Sequence, residues 1–130
     1  MTDASAPRAA VDVMSYAEAG DVADVRSFVR TAALNRGLAA SRTELLVLAA
    51  SELATNTIQH ATGGGRVRVW RDNHQVVCEV ADGGTDRPFA AMPGAESHRG
   101  RGLAIVQRVV DELSTFATAT GSVVQVRMNS

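Results

Sequence analysis

Between Ser41 and Ala61 the apolar positions recur with a helical period. Leu46, Ala49, Ala50, Leu53 and Thr57 fall on one side, while Glu52, Asn56 and His60, spaced four apart, share another. Ser41 with Glu44 three residues later is a capping-box pattern, which predicts the start of this helix. Upstream, Val22, Val25, Phe28, Val29 and Ala32 or Ala33 keep the same period. Gly20 and Asp21 open that earlier helix, Arg36 falls in its last turn and Gly37 is its C-cap. Ala9 to Tyr16, with Val11, Val13 and Tyr16, reads as a first strand behind a loose tail from Met1 to about Arg8.

After Thr62-Gly63-Gly64-Gly65 the period changes to two. Arg66 to Arg71 alternates strictly and predicts a half-buried strand; Asp72-Asn73-His74 is a turn. Gln75 to Ala81 is a second strand, more apolar and so more central, and the two form an antiparallel hairpin. Asp82-Gly83-Gly84-Thr85-Asp86 ends it. From Arg87 to Arg101 no period is present, and Pro88, Pro93 and Gly94 predict a long surface loop of the kind that serves as a lid. Gly102 to Glu112 is a third helix with Leu103, Val106, Val109 and Val110 on its stripe. Leu113 to Ala119 is a strand, Thr120-Gly121-Ser122 a turn, and Val123 to Met128 the last strand. This order predicts an α+β fold: a two-layer sandwich whose mixed, mostly antiparallel sheet is covered on one face by helices, in a single domain over 9–130.

Composition narrows the function. At 130 residues the chain suffices for one core, and a net charge of −1 creates no field toward nucleic acid or anionic lipid. Aromatic residues, at 4%, are too few for a base-stacking platform. No apolar run reaches the ~20 residues of a membrane span, and the N-terminus lacks a secretory pattern, so the expected compartment is cytoplasmic. The one cysteine, Cys78, sits in an apolar strand and reads as a buried small hydrophobe. The three histidines and Cys78 lack zinc spacing. Trp70 and Phe89 read as core or as interface anchors, Arg66 and Arg68 as the exposed face of a strand, and His74 as solvated.

Three stretches carry candidate chemistry. Glu52 one turn before Asn56 sets a carboxylate beside a carboxamide, an oxygen pair suited to a hydrated Mg²⁺. Asp82, where a strand leaves the sheet, is placed to accept from an exocyclic amine such as that of adenine, with Gly83 and Gly84 leaving room for a flat ring; a turn that merely favours Asp and Gly reads the same way. Gly100-Arg101-Gly102 opens a helix, where unpaired N–H groups and the helix dipole favour phosphate, with His98 and Arg99 as added donors. Neither a dinucleotide fingerprint nor a P-loop is present, since Ile105 stands where the former needs its third glycine.

In order and spacing, three boxes resemble the gyrase, heat-shock ATPase, histidine kinase and mismatch-repair superfamily of ATP-binding domains. They are Ser51-Glu52-Leu53-Ala54-Thr55-Asn56-Thr57-Ile58-Gln59-His60-Ala61, Val80-Ala81-Asp82-Gly83-Gly84 and Gly100-Arg101-Gly102-Leu103-Ala104-Ile105-Val106. More narrowly, the chain is similar to the small anti-sigma-factor serine/threonine kinases of bacterial stress and sporulation switches. The resemblance implies ATP and Mg²⁺ as ligands. It assigns Asn56 to the metal, Glu52 to the general base, Asp82 to the adenine amine and Gly84 to the adenine pocket. Gly100, Arg101, Gly102 and Leu103 would supply lid and phosphate contacts. Implied partners are an anti-sigma antagonist of the STAS type, whose serine or threonine is phosphorylated, a sigma factor held by the same chain, and a second copy in a homodimer. Two positions depart from the superfamily: Asp86 and Ala104 stand where glycine is usual. These departures keep a second reading open, a non-catalytic regulator that binds a partner with weak or lost nucleotide binding.

Overall fold

The computed structural model describes residues 11–60, 64–82, 104–118 and 121–130. Its strands are β1 (Asp12–Tyr16), β2 (Gly65–Asp72), β3 (Gln75–Asp82), β4 (Glu112–Thr118) and β5 (Gly121–Asn129). They form one five-stranded sheet in the order β1-β2-β3-β5-β4, and every described pairing is antiparallel. The most apolar strand, β3, is the central one, as its composition predicts. Two helices, α1 (Val22–Asn35) and α2 (Ala40–His60), make the second layer, with a short helical segment, α3, over 104–109.

Alternation along the strands decides which face the helices cover. Val67 and Val69, Val76, Cys78 and Val80, and Val124, Val126 and Met128 point into one core with Leu46, Ala49, Ala50 and Leu53 of α2 and Val25 and Val29 of α1. Leu46 and Leu53 are fully buried, each side chain contributing about 1.5–3 kcal/mol through removal from water. On the opposite face, Arg68 lies 5.2 Å over the Trp70 ring and donates to Glu79, which also accepts from Gln125. Trp70 is thus buried, but on the face away from the helices; Phe89 lies outside the described residues.

The start of α1 is tied to β1 through Asp21, whose carboxylate accepts from the N–H groups of Ala17 and Glu18. Its end is a Schellman turn: Leu38 N–H donates to Ala33 O, Gly37 N–H to Leu34 O, and Gly37 has φ +87°. The capping box expected at Ser41 does not form. The helix starts at Ala40, and both Glu44 oxygens accept from Arg30 of α1 instead, because the two helices pack side by side. The third helix ends earlier than its apolar stripe suggests. Asp111 takes the N–H of Asn129 and the guanidinium of Arg42, so the chain leaves the helix there and Glu112 opens β4. Gly121 and Ser122, expected in a turn, belong to β5, since the hairpin register pairs Thr118 with Gly121.

Candidate functional site

Asp82 is the last residue of β3 and is buried, with 7% of its surface exposed. Strand parity points it the same way as Val76, Cys78 and Val80, toward the helices. On one side its register partner is Gly65 of β2; on the other, continuing the β3–β5 register by one residue brings it level with Ser122 of β5. Ser122 is also a buried polar residue, so a carboxylate and a hydroxyl share the same end of two neighbouring strands. Sequence reasoning missed Ser122 because it took the residue for a turn; the Val124-Val126-Met128 alternation, extended back by two, carries the signal.

Asn56 sits on α2 with 7% exposure, and its Nδ2 has no hydrogen-bond partner among the described residues. Glu52, one turn earlier, is partly exposed. Thr57 is fully buried and donates its hydroxyl to the Leu53 carbonyl at 3.0 Å, the i−4 bond that keeps a threonine satisfied inside a helix. Tyr16, at the end of β1, is 4% exposed, and its hydroxyl likewise lacks a partner in hydrogen-bond geometry. Burial above all pushes that hydroxyl up to about 12; the Thr57 hydroxyl beside it works the other way, and Asp82 and Cys78 add to the rise. Burial also pushes the Cys78 thiol up to about 12, so it is a protonated core residue rather than a reactive thiolate.

The backbone under this cluster admits no side chains. Gly64 has φ +68°, and a Cβ there would press on the Tyr16 carbonyl oxygen and lie 2.6 Å from Ala17 Cα. A Cβ on Gly65 would meet the Ala81 carbonyl oxygen and stand 2.7 Å from Tyr16 Oη. The entry to β2 is therefore held against both its neighbours.

The structure thus brings Glu52 and Asn56 onto one stretch of α2, and Asp82 to the sheet end shared with Gly65, Ser122 and Tyr16. Gly84, Gly100, Arg101, Gly102 and Leu103 lie outside the described residues. The unpaired Asn56 Nδ2 is a donor and suits an acceptor such as a phosphate oxygen, while the Asn56 carboxamide oxygen and the Glu52 carboxylate are oxygens of the kind Mg²⁺ takes one or two of, filling the rest of its shell with water and phosphate. Among the described residues no cluster of His, Cys, Asp and Glu could hold a metal by itself. No described helix is long and apolar enough to cross a membrane. Along α2, a groove of about 410 Å³ runs between Ala19, Gly20 and Arg26 on one side and Thr55, Ile58 and Gln59 on the other.

A family model described as the histidine kinase-like ATPase domain matches residues 16–128. Among solved structures, the chain is similar to the RsbU and RsbW domains of Rv1364c from Mycobacterium tuberculosis, with a TM-score of 0.70 and 19% identity. That alignment covers 92% of this chain and 32% of the other, so the chain spans about a third of the matched protein, and the likeness is one of fold. No curated protein matches.

Proposed function

The chain belongs to the histidine kinase-like ATPase domain family, and from that premise we propose that it is an anti-sigma-factor-type serine/threonine protein kinase. In this reading it binds ATP with Mg²⁺, phosphorylates an antagonist protein of the STAS type and sequesters a sigma factor. The fold likeness to a structure that includes an RsbW domain supports the direction of this reading. The observation that carries it is the buried Asn56, its Nδ2 unpartnered among the described residues, one turn from Glu52 on the helix that packs over Asp82's strand.

Bound ATP–Mg²⁺ supplies the transferable phosphoryl group and neutralises charge on it. The chain's own residues bind, orient and move a proton. Asp82 accepts from the exocyclic amine of the base. Asn56 presents its carboxamide oxygen to the metal. Glu52, the more exposed of the α2 pair, takes the proton of the attacking hydroxyl as that oxygen bonds to phosphorus and the nucleoside diphosphate leaves with its electron pair. Gly84, Gly100, Arg101, Gly102 and Leu103 complete the base pocket and phosphate contacts in this reading.

Transfer of labelled γ-phosphate to a purified antagonist tests it. Wild type should label the antagonist, and Glu52→Ala should lose about 10²-fold or more in rate with ATP affinity retained. Equal rates would remove Glu52 from the role of base. The glycine departures at Asp86 and Ala104 favour a second reading, a regulator that binds its partner without transferring phosphate. Tight antagonist or sigma-factor binding with no labelling would support that one.

A further inference from the structure

Tyr16 keeps a buried hydroxyl without a partner. Such a group costs free energy relative to phenylalanine at the same position, so its presence points to a donor reserved for something that arrives later. Its location narrows the choice. The hydroxyl rests over Gly65, where an added Cβ would stand 2.7 Å from Oη and 3.0 Å from Cζ, and Gly65 is the register partner of Asp82. Thr57 lies beside it and gives its own hydrogen to the Leu53 carbonyl; its oxygen is an acceptor, but the two hydroxyls are not in hydrogen-bond geometry. Asp82 is the carboxylate whose charge reaches the phenol.

We propose that Tyr16 is a positioning residue for base recognition, whose hydroxyl, unpartnered in the free protein, donates to the Asp82 carboxylate when that carboxylate engages the exocyclic amine of adenine. The proposal rests on the nucleotide reading of the site given above. A carboxylate has room for about four hydrogen bonds, so a donor from Tyr16 adds to the contacts Asp82 already has. The bond closes as the nucleotide enters: when the amine takes one oxygen of Asp82, the phenol takes the other, and the carboxylate is held from both sides. A phenol is protonated at neutral pH, and burial carries that state further into alkali, so the donor is present.

The test is Tyr16→Phe in the full chain, titrated with Mg²⁺ and either ATP or purine riboside triphosphate, which lacks the 6-amino group. ATP affinity should fall about tenfold, a hydrogen bond's worth, while affinity for the analogue stays at the wild-type value. The melting temperature should not fall, because the hydroxyl removed has no partner in the unliganded protein. An equal loss for both nucleotides, or no loss for either, overturns the positioning role while leaving the nucleotide site standing. A lower melting temperature with equal losses assigns the hydroxyl to structure and overturns it as well. A wild type that binds neither nucleotide overturns both readings.

Discussion

The two ends of the sheet are built on opposite terms. At the end where β1 starts and β5 finishes, polar groups are tied to one another. Arg36 Nη1 donates to Asp12 and to the Ala32 carbonyl, Arg71 to the Arg36 carbonyl and Ser130, Arg127 to Asp72, and Arg42 to Asp111 and the Asn129 carbonyl. At the other end Tyr16, Asp82 and Ser122 are buried, Gly64 and Gly65 are pressed against Tyr16, and the Tyr16 hydroxyl has no partner; Asn56 Nδ2, buried on α2, has none either. The third such atom among the described residues is Nε of Arg36, in a guanidinium already bonded twice through Nη1. Burial without a partner costs free energy, so the contrast sets an end whose polar groups satisfy one another against an end with donors that a ligand can satisfy.

Gly64→Ala should break the contrast most severely. The left-handed φ and the collision with the backbone of Tyr16 and Ala17 predict a loss on the order of 3 kcal/mol or more in urea unfolding. Gly20→Ala is the control, since a Cβ there meets nothing within 4 Å and stability should barely change. Next in size is the pinned end. Arg36→Ala removes a guanidinium whose side chain is only 9% exposed and should cost about 1–3 kcal/mol without touching nucleotide affinity. Asn56→Ala reverses the pattern: little stability lost, Mg²⁺-dependent binding abolished.

A smaller effect appears in alkali. Cys78 rises from 9.0 to about 12 and Tyr16 from 10.0 to about 12, both mainly through burial. Between these limits the folded chain holds protons that the unfolded chain has released. The stability they contribute is therefore complete below pH 9 and is lost as pH climbs toward 12. Denaturant midpoints at pH 7, 9 and 10 should fall in that order, and Cys78→Ala should flatten the decline even though its own stability is lower throughout. The smallest effect belongs to the Arg30–Glu44 pair, both exposed: Glu44→Gln should leave the melting temperature at the wild-type value in physiological salt.

Local pattern carried most of the scaffold. The Leu46-Ala49-Ala50-Leu53-Thr57 side of α2 is the buried side, the Gln75–Ala81 run is central, and Gly37 closes α1, because each depends on period or turn chemistry that neighbouring residues set. The boundaries that slipped were decided by distant partners. Glu44 turns to Arg30, and Asp111 turns to Arg42 and Asn129, and no spacing within a helix announces either. The site was legible in the same uneven way. Glu52 and Asn56 follow from one helix and Asp82 from the end of one strand. Tyr16 reaches Asp82 only across β2, and Ser122 only through the β3–β5 register, so both were invisible without the sheet order. The readings of Gly84, Gly100, Arg101, Gly102 and Leu103 rest on sequence alone.

Calorimetric titration of ATP with Mg²⁺ into wild type and Asp82→Ala bears most directly on the claim that this end of the sheet is a nucleotide site. The account predicts saturable binding to wild type, loss of it in the variant, and unchanged far-ultraviolet circular dichroism in both. Binding that survives Asp82→Ala intact, or its absence from a folded wild type, would contradict it.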